Sequence, residues 1–141
     1  MISKSSKYGI RAAMYLGIHS SEENKISPQE LSDALQLPKH SLGKILQEMV
    51  RRGIISSVKG PNGGFYLTDK NKMQKLGAIV ECFDGEFSLS SCVLGFPECG
   101  PENPCYMHEH VVKVRKGMKT MFNKTTINQA VKEAWKNDFK I

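Results

Sequence analysis

Three cysteines and a histidine crowd into one short stretch: Cys92, Cys99, Cys105 and His108. Six residues separate the first two cysteines and five the next two, and His108 follows Cys105 by three. Three thiolates backed by an imidazole are a soft donor set, suited to an iron–sulfur cluster or to zinc. The spacing is neither that of a ferredoxin nor that of a paired-CxxC zinc ribbon. Pro97, Pro101 and Pro104 limit the conformations that must be frozen when such a group binds. The same thiols also fit a redox switch that binds no metal. Cys82 stands apart between Val80 and Phe83 on an expected helix, and reads as a small buried hydrophobe.

Elements on both sides must hold this loop. Apolar residues at Ile10, Ala13, Met14, Gly17 and Ile18 predict a helix over 5–20 with that face inward. Ser27, Pro28 and Glu30 form a capping-box signal for a short second helix with Leu31, Ala34 and Leu35 inside, cut off at Leu37-Pro38. Leu42, Ile45, Leu46, Met49 and Val50 carry a third helix, ended by Gly53. A strand over 54–58, a Gly-Pro-Asn-Gly-Gly turn and a returning strand over 65–67 complete a hairpin. Helix, short helix, helix and hairpin in this order predict a winged helix-turn-helix.

A further helix is expected over 73–83, then an irregular stretch over 84–104 that is long for so small a chain. Val111, Val114, Met118, Met121 and Phe122 approximate a heptad seam on a long helix packed against a partner. Thr126 and Gln129 cap a last helix that buries Ile127, Ala130, Val131 and Ala134. The fold class expected is mainly α with a small β-hairpin. It divides into a DNA-binding domain (1–83), a cysteine-bearing cofactor loop (84–105), and a dimerisation helix with a packing helix (106–141).

The front half suits a phosphate-rich partner. Twenty Lys and Arg against fourteen Asp and Glu give a formal charge of +6, and cations that displace condensed counterions supply sequence-independent affinity for DNA. The third helix would enter the major groove, with Lys39, Lys44 and Arg51 placed for phosphates and His40, Ser41 and Gln47 for base edges. Lys59 beside Gly60, Pro61, Asn62, Gly63 and Gly64 lets backbone and cation approach a minor groove together. Ser5, Ser6 and Lys7 at the first helix, and Ser27 and Gln29 at the second, complete the candidate contacts. Gly43 sits mid-helix at a cost in helix stability, either to admit DNA closely or for no gain.

No nucleophile with an evident base appears, so no enzyme is expected. No stretch has the length of a membrane span, and residues 1–8 lack a signal-peptide core, which predicts a cytoplasmic protein whose cysteines are ligands or reactive thiols.

Ser6 to Ala12, Leu42 to Ile55, the run Val58 to Leu67, the three-cysteine loop and Thr125-Thr126-Ile127 together resemble the Rrf-two family of winged-helix regulators over essentially the whole chain. The resemblance implies a homodimeric repressor or activator on a palindromic operator, with a [2Fe–2S] cluster, or next a [4Fe–4S] cluster, on Cys92, Cys99 and Cys105. His108 matches the fourth ligand of some members. Others draw that ligand from an acidic residue in the partner's first helix, where this chain has Tyr8 and Arg11. Ser41 stands where an aromatic is common and Gly43 where a glutamate is common, so the resemblance implies DNA binding without implying the operator sequence. A zinc- or thiol-based regulator, or an electron-transfer protein that binds no DNA, are the competing readings.

Overall fold

A computed structural model describes residues 2–85, 92 and 94–141. Among them the elements run α1 (Lys4–His19), α2 (Pro28–Leu35), α3 (Lys39–Arg51), β1 (Ser56–Val58), β2 (Gly64–Tyr66), α4 (Asp69–Lys72), α5 (Leu76–Asp84), α6 (His108–Lys124) and α7 (Ile127–Lys136).

The helix-turn-helix is built by local chemistry. Ser27 Oγ accepts from Glu30 N–H at 3.1 Å while Glu30 Oε2 accepts from Ser27 N–H at 2.8 Å, which closes the capping box on α2. Gln36 ends α2 in the left-handed region (φ 52°), and buried Leu37 pins the turn. Ser32 Oγ donates to Leu37 O across it at 2.7 Å. Pro38 then opens α3, and Gly53 (φ 71°) terminates the helix just beyond its C-cap.

The hairpin pairs β1 and β2 antiparallel, with Ser56 opposite Tyr66, Ser57 opposite Phe65 and Val58 opposite Gly64. Phe65 exchanges two further backbone hydrogen bonds with Ile26, immediately before the α2 cap. The wing is thereby fastened to the helix-turn-helix. Glycine is required at this seam. A Cβ on Gly64 would stand 2.7 Å from Ile26 O, and one on Gly63 2.1 Å from Val58 O.

Among the described residues one buried cluster joins most of the helices, from Leu16 on α1 through Leu31, Leu42, Leu46 and Met49 to Ile79, Phe122, Ile127 and Val131. α7 returns to pack on α1, and α5 packs on both α1 and α6.

Several sequence expectations shift. The inner face of α1 is Ser6, Gly9, Ala12, Ala13 and Leu16, so of the five positions read as inward only Ala13 is fully buried. The helix packs against α3, α5 and α7 at once, and small residues win the tightest contacts. Ala34 is exposed, and the buried third position of α2 is Ser32. The expected helix over 73–83 starts three residues late. Residues 74–76 pair with the α6–α7 junction instead, through Leu76 N–H to Thr125 O and Ile127 N–H to Gln74 O, both 2.9 Å. A short α4, capped by Thr68, precedes that link. The first strand begins at Ser56 because Ile54 and Ile55 are drawn into the core. α6 begins at His108, leaving Tyr106 97% exposed. Cys82 is half-buried.

Candidate functional site

The solvent side of α3 carries Lys39, His40, Ser41, Lys44, Gln47 and Arg51, all exposed. His40, Lys44, Gln47 and Arg51 recur at four, seven and eleven residues, which sets them in one line along the helix. Across from that line stands the wing. Gln47 and Val50 share a groove with Ser27 and Pro28 of the α2 start and with Lys59, Gly60 and other wing residues. A second hollow joins Pro28 to Lys39, His40, Gly43, Lys44 and Gln47. Lys59, Gly60, Pro61 and Asn62 form the exposed tip, with Gly63 and Gly64 half-buried below. One face therefore gathers α3, the α2 start and the wing.

Some candidates are engaged elsewhere. Ser6 is wholly buried, and the α1 cap is instead Ser3, whose Oγ accepts from Ser6 N–H at 3.2 Å. Its side chain is therefore closed to a phosphate. Ser5 is half-buried and Lys7 exposed. Gln29 Nε2 donates to Asp33 Oδ1 at 2.9 Å along α2. Arg51 donates from Nε and Nη2 to the Glu48 carboxylate at 2.8 and 2.5 Å, and Arg52 Nε donates to the same carboxylate at 3.1 Å. The two guanidinium groups hold the Glu48 carboxyl down to about 2.

Asn71 went unnoticed in the sequence and holds this face together. Its Oδ1 accepts from Ser56 Oγ at 2.8 Å and from Thr68 N–H at 3.0 Å, and its Nδ2 donates to Gly53 O at 3.1 Å. One buried amide thus ties the end of α3, the first wing strand and the α4 cap. The Thr68-x-x-Asn71 spacing is the signal that would have revealed it.

The thiols form a second site, centred on Cys99. Cys99 Sγ lies 3.2 Å from His108 Nδ1 on the first residue of α6. Backbone N–H groups of Phe96 and Leu94 point at the Cys92 sulfur and hold its pKa below the ordinary thiol range. At Cys99 the Cys105 amide pulls the pKa down, but the Cys105 thiol, burial and the charges of Cys105 and Cys92 prevail and raise it. Cys92, Cys99 and His108 line one cavity with Val112 and Arg115 of α6, and Cys99 and Cys105 line another. Among the described residues no three His, Cys, Asp or Glu side chains gather closely enough to cage a metal ion. The donors are linked pairwise through Cys99. Their chemistry, soft thiols with one imidazole and backbone N–H groups aimed at sulfur, fits an iron–sulfur cluster or zinc.

A capped helix-turn-helix with a glycine-tipped wing on one face defines a winged helix-turn-helix protein. Residues 2–133 match the Rrf2 family, described as an iron-dependent transcriptional regulator, and the chain belongs to that family. It is a transcriptional regulator. It is 27% identical to a provisionally named HTH-type transcriptional regulator of Aquifex aeolicus, over 100% of this chain and 98% of that one. It is 30% identical to the HTH-type transcriptional regulator NsrR of Geobacillus kaustophilus, over 62% of this chain and 58% of the other. Among solved structures, the global cysteine regulator CymR of B. subtilis superposes with TM-score 0.74 at 20% identity, covering 94% of this chain and 97% of that one. IscR of T. potens gives 0.69 at 21%, covering 95% and 88%. At these identities the two structures establish the fold. No helix among the described residues is long and apolar enough to cross a membrane.

Proposed function

We propose that the chain is a homodimeric DNA-binding regulator whose response is set by an iron–sulfur cluster held by Cys92, Cys99, Cys105 and His108. The observation that carries this reading is the direct contact of Cys99 with His108, which joins the thiol loop to the first turn of α6. The family's description as iron-dependent supports it.

DNA would be met by Lys39, His40, Ser41, Lys44, Gln47 and Arg51 on α3, and by residues 59–64 of the wing. Ser27 and Gln29 at α2 and Ser5 and Lys7 at α1 would lie beside the backbone. Val114 and Met121 are more than half exposed on α6 and supply an apolar stripe for a second copy. Two-fold symmetry then places half-sites on a palindromic operator about 34–36 Å apart or at a multiple of that distance.

When bound, the cluster supplies a reversible one-electron centre that also holds the loop in one arrangement. The chain's own part is to aim amides at Cys92 and to fix the imidazole on α6. A change in the loop then biases how two copies present their α3 helices, by no more than its differential stability in the two arrangements. Zinc or a thiol pair is the second reading, favoured by the interaction of Cys92 with Cys99.

Anaerobic purification and reconstitution with iron and sulfide, followed by metal and sulfide analysis and a visible spectrum, decides between them. Charge-transfer bands lost in Cys99→Ser are expected. Stoichiometric zinc and a featureless spectrum would reject the cluster.

A further inference from the structure

Glu48 is the one acidic residue of α3, and both ion pairs between described residues centre on it. Arg51 stands in the exposed line of His40, Lys44 and Gln47, and its side chain is 68% exposed, yet two of its nitrogens are spent on this carboxylate. Arg52 binds the same oxygen as Arg51 Nη2.

We propose that Glu48 is a positioning residue that withholds Arg51 and Arg52 from DNA phosphates, and so sets the electrostatic part of DNA affinity. The inference rests on the DNA reading of α3 given above. A phosphate that approaches Arg51 must displace a bidentate carboxylate of matching geometry. Exposed pairs of this kind are weak, so the clamp raises a threshold without blocking contact. Glu48 stays ionised at any working pH, which makes the threshold constant. A lone repelling charge would act differently, because its effect would not depend on the two arginines.

The experiment titrates wild type, Glu48→Gln, the double variant Arg51→Ala/Arg52→Ala and the triple variant onto a fluorescent random-sequence duplex, by anisotropy over a salt series. Glu48→Gln is expected to bind roughly three- to tenfold tighter at about 0.1 M salt, with a log–log salt slope steeper by about one to two units. In the arginine-free background the same substitution should change affinity less than about twofold, as a double-mutant cycle requires of coupled groups. An equal gain in that background would overturn the clamp in favour of simple repulsion. An unchanged slope in Glu48→Gln with helical circular dichroism intact would overturn it outright. Glu48→Ser removes the carboxylate with a different shape and must steepen the slope alike, while Glu48→Asp must restore it toward wild type. If no form binds duplex, the DNA reading falls and the clamp falls with it.

Discussion

Gly43 lies in the middle of α3, and beyond its chain neighbours and the adjoining helix backbone no atom of a described residue stands within 4 Å of where its Cβ would be. Nothing inside the chain repays the helix stability that glycine forfeits. Gly43→Ala should therefore stabilise the fold by about 0.5–1 kcal/mol, read as a higher melting temperature; a lower one would mean that α3 needs the glycine for its own packing. Asp84 shows the opposite balance. Burial pushes its carboxyl up, but the hydroxyl and backbone N–H of Ser3 outweigh burial and leave its pKa below the ordinary carboxylate range. Ser3 N–H donates to Asp84 Oδ2 at 2.8 Å, so the end of α5 holds the start of α1. A carboxyl depressed on folding contributes stability that is present above its unfolded pKa and is lost as pH falls through the lower folded value. Acid unfolding of wild type should therefore include a contribution below about pH 4 that Asp84→Asn lacks, with the variant less stable at pH 7 by denaturant titration.

At the scale of elements, the joint between α3 and the wing rests on few groups. Asn71→Ala strands the Gly53 carbonyl and the Ser56 hydroxyl, and should cost about 2–3 kcal/mol, measured by urea unfolding. Ser27→Ala opens the α2 cap and should cost about 1 kcal/mol. These elements also mark what the sequence could convey. The capping boxes at Ser27 and Thr126 and the glycine turn of the wing are local chemistry, legible in a few adjacent residues. The inward face of α1 was not, because three helices compete for it and close approach selects Gly9 and Ala12 over larger neighbours. The late start of α5 was hidden for a similar reason, since the partners of Gln74 and Leu76 lie far along the chain, at Ile127 and Thr125. The cysteines and His108 could be picked out by type, whereas the central place of Cys99 depends on how the loop folds.

For the molecule as a whole, α6 offers the surface that a second copy would cover. If the proposed dimer forms through this face, Val114→Asp together with Met121→Asp should convert it to monomers in sedimentation velocity and abolish tight binding to the proposed operator while each subunit stays folded, since both side chains point to solvent. The core has another consequence. Ile127 and Val131 of α7 lie among the residues that seat α1, and a Cβ on Gly17 would stand 2.7 Å from Val131. Of the helices described here, α1 is made before the others yet waits for α7 to complete its packing. A nascent chain that already displays its wing still lacks one wall of its interior until α7 emerges, so the helix-turn-helix and wing mature after translation of the thiol loop, when any metal could already be in place.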